Sequence, residues 1–235
     1  ANRGLGRQFT QALLAAGAAK VYAGARDPQT VTQPGVHAVR LDVTDAESIT
    51  AAAAALTDVD VVVNNAGIMQ PASLLAPADI GAIHKIFDVN VWGLLAVTQA
   101  FAPVLKRNGG GVVVNVLSVL SWVALPASGA YSASKAAVRT YGQGLRRMTA
   151  QSGVKVTVVS PGFVETPMSA SLPFHGPFTW SAERAARHIL RGLEKGKREI
   201  VFPLPLALAV GLATYLPTAV TDAVLKRVTG ASLPK

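Results

Sequence analysis

The sequence predicts a single α/β domain, a doubly wound parallel sheet with helices on both faces. Three observations predict it. Apolar runs of four to six residues alternate with helical stretches of ten or more, the pattern of parallel strands joined by right-handed helical crossovers. The 235 residues fit one such domain and leave little room for a second. Half of them are hydrophobic and 15% are charged, enough for a sizeable core and too apolar for disorder.

The elements follow in order. Residues 7–16 read as a helix with Phe9, Leu13 and Leu14 inward, stopped by Gly17. Lys20 to Gly24 and Val36 to Leu41 read as short strands, the second followed by Asp42 and Thr44. Residues 45–56 form an Ala-rich helix, and Val59 to Val63 a strand ended by Asn64-Asn65-Ala66-Gly67. A long helical stretch covers 78–107 with an interruption near Val89-Asn90. Gly109-Gly110-Gly111 turns the chain into a strand at Val112 to Val116. Tyr131 to Gln151 is helical, Val154 to Val159 is a strand closed by Pro161-Gly162, residues 181–195 are helical and Glu199 to Phe202 is a last strand. Ligands of such sheets bind at the carboxyl ends of the strands. Asp42, Asn64 to Gly67, Ser118 and Pro161-Gly162 all fall at such ends, so they share one rim.

Composition removes several function classes. There is no cysteine, which excludes disulfides and thiolate chemistry, is compatible with a reducing compartment and makes the cytoplasm the expected location. His37, His84, His175 and His188 show no ligand spacing, so no metal is expected. The formal charge is +9, yet the basic residues form no dense run interleaved with aromatics, so no nucleic-acid partner is expected.

Two motifs carry chemistry. Gly4-Leu5-Gly6 opens the first helix, where glycines let the backbone approach a phosphate and the helix end offers free N–H groups. Tyr131 and Lys135 are four apart, hence on one helix face. A phenol ionises near ~10, too high for efficient acid–base work at neutral pH, and an ammonium beside it is expected to lower that value. The hydroxyl of Ser118, thirteen residues earlier, can hold a substrate oxygen.

Together these motifs make the chain similar to the short-chain dehydrogenase/reductase family over nearly its whole length. Ala1-Asn2-Arg3-Gly4-Leu5-Gly6 matches the last six positions of the family's Thr-Gly-x-x-x-Gly-x-Gly. Asn64-Asn65-Ala66-Gly67, the Asn90 of Asp88-Val89-Asn90, the Ser118 interval, Tyr131-Ser132-Ala133-Ser134-Lys135 and Pro161 to Thr166 match in the family's order. The resemblance implies a Rossmann-type fold and an oxidoreductase that interconverts a carbonyl and an alcohol on a small molecule.

It also implies roles. Tyr131 would be the general acid in reduction and the base in oxidation, Lys135 would lower its pKa and bind the nicotinamide ribose, and Ser118 would orient the carbonyl. Asn90 would hold a water linked to Lys135. Gly4, Leu5 and Gly6 would form the phosphate loop, Arg3 within it stands where the resemblance places a second basic residue of NADP-preferring members, and Asp42 and Val43 would meet the adenine. Asn64, Ala66 and Gly67 would line the adenine ribose, while Pro161, Gly162, Val164 and Thr166 would lie along the nicotinamide end. The expected cofactor is NADP(H). The end of the second strand, where an acidic residue would bind a ribose hydroxyl, holds Ala25 followed by Arg26, which can pair with a 2′-phosphate. Asp27 argues the other way under a one-residue shift. Leu120, Trp122, Phe163, Met168 and the loop 169–180 with Phe174, Phe178 and Trp180 are expected to line an apolar substrate site.

One departure stands out. The family's first strand and its Thr-Gly precede the position of Ala1, so a sheet lacking its central strand, in a sequence cut from a longer one, is expected. A homo-oligomer is implied through the two long helices at about 80–105 and 131–151. The residues from 199 to 235 form an apolar C-terminal extension, read as a lid or an oligomer surface. Ile200 to Thr221 carries no charge, but its longest proline-free piece, Leu206 to Leu216, makes about 16 Å of helix, too short for a bilayer core of ~30 Å. Basic flanks at Lys195 to Arg198 and Lys226-Arg227 leave weak peripheral membrane contact as the alternative. A dinucleotide-binding regulator without turnover is the alternative to an enzyme.

Overall fold

The structure, a computed structural model, describes residues 1–125, 128–171 and 178–229. Eight strands and eight helices alternate along it. The chain opens with α1 (Gly4–Ala15), β1 (Tyr22–Ala25), β2 (His37–Arg40), α2 (Ala46–Ala55) and β3 (Val61–Asn64). Then come α3 (Ile80–Phe87), α4 (Gly93–Arg107), β4 (Gly111–Val116), α5 (Gly129–Met148) and β5 (Val154–Pro161). Short β6 (Val164–Glu165) and β7 (Trp180–Ser181) lead to α6 (Ala182–Glu194), β8 (Glu199–Phe202), α7 (Leu204–Ala213) and α8 (Thr218–Thr229).

All strand pairs are parallel, in the order β3-β4-β5-β8 for the main sheet. Its central strands are valine-rich because both faces are covered: Val114 and Val159 are fully buried against Phe9 of α1 and Ile189 of α6. Val113 and Val156 pack on the other side against Ile49, Phe101 and Val104 of α2 and α4. Each such side chain removed from water contributes about 1.5–3 kcal/mol. The interruption expected near Val89-Asn90 is a π-helical turn at Asp88–Trp92 between α3 and α4.

The sheet is in two parts. β1 pairs only with β2 and β3 only with β4, so each keeps an edge without a strand partner among the described residues. This is the expected gap at the centre of the sheet. Residues 1–6 join the parts at their carboxyl ends: the Ala1 ammonium donates to the Gly24 carbonyl, and Gly6 backs onto the Asn65 amide.

The C-terminal extension departs from expectation in one respect. α7 begins at Leu204, earlier than Leu206, because Pro205 falls in its first turn, where the missing N–H costs nothing. Its basic flank, Lys195 to Arg198, lies at the start of β8 and α7 at its end, so the strand holds them at opposite ends of the sheet. They do not form the one surface that their closeness in sequence suggested.

Candidate active site

A cleft of about 670 Å³ crosses the carboxyl ends of the strands. At one end it is lined by Arg3, Gly4 and Leu5 at the start of α1, Ala25 and Arg26 after β1, and Asp42 and Val43 after β2. Ala66 and Gly67 follow β3 in the middle. Ser118, Tyr131 and Lys135 close the other end with Pro161, Gly162, Val164 and Thr166. Five strand-end segments and two helices that are distant in sequence thus bring these residues to one rim, because every strand points the same way.

Tyr131 and Lys135 share the inner face of α5, 8% and 4% exposed. The Ser118 hydroxyl is hydrogen-bonded to the phenol and also accepts the Leu120 N–H at 3.1 Å. The Lys135 ammonium lies 5.6 Å from the Tyr131 ring centre and donates to the Val116 carbonyl at 3.0 Å. The expected lowering of the phenol is overturned in this geometry. Burial pushes Tyr131 up to about 12, with the Ser118 bond opposing. Desolvation pushes Lys135 down to about 8. A phenol held protonated is suited to giving a proton to a carbonyl oxygen at neutral pH.

The other end fits a dinucleotide phosphate. α1 has no side-chain cap and no acidic residue in its first turn, so its N–H groups face the cleft unneutralised. At Gly67 a Cβ would stand 3.3 Å from Asn90 Oδ1 and 3.4 Å from Lys135 Nζ, a tight contact that would press on both catalytic-end side chains. Gly162 is constrained from behind, since a Cβ there would meet Leu206 of α7 at 2.7 Å. The C-terminal extension therefore packs directly on the site's floor. Asp42 is lowered from its ordinary value because the Thr44 N–H and hydroxyl both bond it, with Arg26 and Arg40 adding charge.

Three expected positions differ. Asn64 does not line the cleft; its amide donates to Thr98 Oγ1 and Asn115 Oδ1, both at 2.9 Å, inside the protein. Strand alternation turns Asn64 inward and leaves Asn65 to face the cleft. Gly6 lies behind the lining rather than in it. Asn90, wholly buried, spends both amide hydrogens on the Ile68 carbonyl and the Ser134 hydroxyl, and its oxygen accepts the Ile68 N–H at 2.8 Å. That leaves one lone pair of Oδ1 for the water the resemblance assigned to it.

Leu120, Phe163 and Met168 line the far end as expected. Trp122 does not; it stacks under the Arg139 guanidinium at 3.4 Å. Trp180 stacks on Phe202 in the core at 4.9 Å, and Phe178 is exposed outside the cleft. Phe174 is outside the described residues. Sequence reasoning missed Lys85 and Asp88, which line the cleft. The signal was their i, i+3 spacing on the helix that carries Asn90.

The short chain dehydrogenase family profile matches residues 1–174. An uncharacterized oxidoreductase of Myxococcus xanthus is 33% identical, with 97% of this chain and 94% of that protein covered. A cis-4-hydroxycyclohexanecarboxylate dehydrogenase of Sinomonas cyclohexanicum is 32% identical, with 80% of each covered. Among solved structures, a short chain dehydrogenase of Burkholderia cenocepacia in complex with NADP is 35% identical, with a TM-score of 0.87 over 96% of this chain and 94% of that one.

Proposed function

The chain belongs to the short chain dehydrogenase family, whose members use nicotinamide cofactors, and from that premise we propose an NADP(H)-dependent oxidoreductase interconverting a carbonyl and an alcohol on an apolar small molecule. The carrying observation is the Ser118–Tyr131–Lys135 group at the inner end of a cleft whose other end is cationic. A nicotinamide cofactor held along the cleft would supply hydride-transfer chemistry to the carbonyl carbon. Tyr131 Oη gives its proton to the carbonyl oxygen, and the Ser118 hydroxyl fixes that oxygen beside it. Lys135, anchored on the Val116 carbonyl, holds the ribose and restores charge balance as the phenolate forms. Asn90 positions Ile68 and Ser134 around Gly67.

NADP(H) over NAD(H) is supported by the contrast between Arg26 and Asp27. Arg26 lines the cleft. Asp27 is not part of the cleft lining, and its Oδ1 accepts the Gln29 N–H at 3.0 Å as a helix cap. Leu120, Phe163 and Met168 favour an apolar substrate. The homo-oligomer would pair α4 and α5 with their copies, and the extension would act as a lid by pressing Leu206 on Gly162.

The test measures kcat/KM for NADPH and NADH with a panel of ketones and aldehydes. NADPH preferred by tenfold or more with an apolar ketone is the expected outcome, given that a charge-assisted contact is worth ~1.5–3 kcal/mol. Equal use of both cofactors would remove the NADP assignment, and no turnover with any carbonyl would remove the reaction.

A further inference from the structure

We propose that the amino end of the sheet, the end remote from the cleft, is a docking face for an anionic lipid bilayer. The inference is independent of the reaction assigned above.

Cations from four parts of the chain meet there. Lys106 and Arg107 close α4, and Arg146 and Arg147 close α5. Lys155 begins β5, and Lys195, Lys197 and Arg198 form the turn into β8. Hydrogen bonds fix them side by side. The Gly111 N–H donates to the Gly153 carbonyl, tying the end of α4 to the start of β5. Thr157 Oγ1 donates to the Lys197 carbonyl at 2.9 Å, and the pairing of Val158 with Glu199 puts Arg198 and Lys197 beside Thr157 and Val156. Lys155 pairs with Val112 of β4 and lies two residues before Thr157, whose neighbours across the strand gap are Lys197 and Arg198. Two residues along a strand and one strand spacing amount to roughly 8 Å, comparable with a Debye length of ~8–10 Å, so these charges act on an anion together.

Lys106, Arg107, Arg147, Lys155, Lys197 and Arg198 are all exposed, and none has an ion-pair partner among the described residues. The carboxylates at this end are few. Asp58 is held by Lys20, and Glu199 faces Arg139 at 3.9 Å, which leaves Asp60 and Glu194. The ordinary reason for such cations is the negative end of a helix. It accounts for the last turns of α4 and α5 and for Lys195 and Lys197, whose turn closes α6 with the Lys197 N–H on the Gly192 carbonyl at 3.0 Å, and not for Lys155 and Arg198.

The occupant follows from chemistry and shape. Met148, 83% exposed, follows Arg146 and Arg147 as the last residue of α5. An apolar tip amid cations suits the headgroup–acyl boundary. Single-stranded nucleic acid would need aromatic platforms for its bases, and these cations have none interleaved among them. The face bound to lipid leaves the cleft turned to water, open to substrate.

The full chain is sedimented with vesicles of phosphatidylcholine and phosphatidylglycerol in equal parts, and with phosphatidylcholine alone. Binding to the first and not the second, abolished by 0.5 M salt (on the order of a 4 Å screening length), is expected. A basic side chain at an anionic surface contributes about fivefold in partition. K155E/K197E/R198E should therefore cost about 100-fold or more with an unchanged melting curve, and K106E/R107E, on another element, at least about 10-fold. L204S/L208S/L212S in α7 should leave binding intact. No partition at low salt, equal binding to neutral vesicles, loss in the α7 variant alone, or displacement of the vesicles by an equal charge of oligonucleotide would each overturn the proposal.

Discussion

The two ends of one sheet have opposite character. At the carboxyl end, loops after β1, β2, β3 and β4 converge on a cleft, the uncapped start of α1 faces into it, and ionisable groups are buried. At the amino end, the last turns of α4 and α5, the start of β5 and the turn before β8 carry cations without ion-pair partners among the described residues. Helices that cross back over a parallel sheet present their N-termini at one end and their C-termini at the other, so the backbone itself divides them. The lesson is in the treatment of charge. A lysine at the amino end keeps its hydration and contributes to a diffuse field, while Lys135 at the carboxyl end gives up hydration for position.

That contrast is sharpened first by Lys135→Met. Turnover should fall by about 10²-fold or more, because the group that holds the ribose and balances the phenolate is gone. Folding stability should move the other way. At pH 7 the lysine is charged in both states, and the fall from 10.5 to about 8 corresponds to about 3 kcal/mol against the folded state. Losing the bond to the Val116 carbonyl returns about 1–2 kcal/mol, so the variant should gain about 1–2 kcal/mol in chemical denaturation. The pH dependence follows in sign. A depressed lysine costs the fold least above its unfolded value, so wild-type stability should rise from pH 8 toward 10.5, and the variant should lack that rise. Tyr131, raised to about 12, acts oppositely, and its contribution is lost between pH 10 and 12. A variant less stable than wild type at pH 7 would break the comparison.

Arg26→Ala comes next, with an expected tenfold to hundredfold loss in kcat/KM for NADPH and little change for NADH, read by initial rates. An unchanged cofactor ratio would remove Arg26 from the site. The smallest effect on activity is expected at Asn64→Ala. Its amide serves Thr98 and Asn115, so the change should cost about 1–3 kcal/mol in a urea melt and leave the KM for cofactor within about twofold. A large KM effect with unchanged stability would return Asn64 to the cleft.

Helical spacing made Tyr131 and Lys135 legible before any coordinates, and strand ends located Asp42, Gly67 and Ser118. What stayed hidden depended on side-chain direction and burial. Asn64 and Asn65 are adjacent identical residues, and only the side-chain alternation at the end of β3 decides which faces the cleft. The phenol was expected to fall because an ammonium lay four residues away, but sequence spacing carries no information on desolvation, which dominates here. Lys195 to Arg198 were grouped with α7 by proximity in sequence, and four residues of extended strand are enough to send them to the far side.

The central claim is that the carboxyl end transfers a proton through Tyr131 to a carbonyl. Its most direct test is NADPH oxidation with the best ketone of the panel by wild type and Tyr131→Phe, with NADPH binding measured in parallel by fluorescence titration. Turnover should be lower by about 10² or more in the variant, with cofactor affinity within about threefold, since Phe keeps the ring and loses only the hydroxyl. A Tyr131→Phe enzyme of near-full turnover would contradict it.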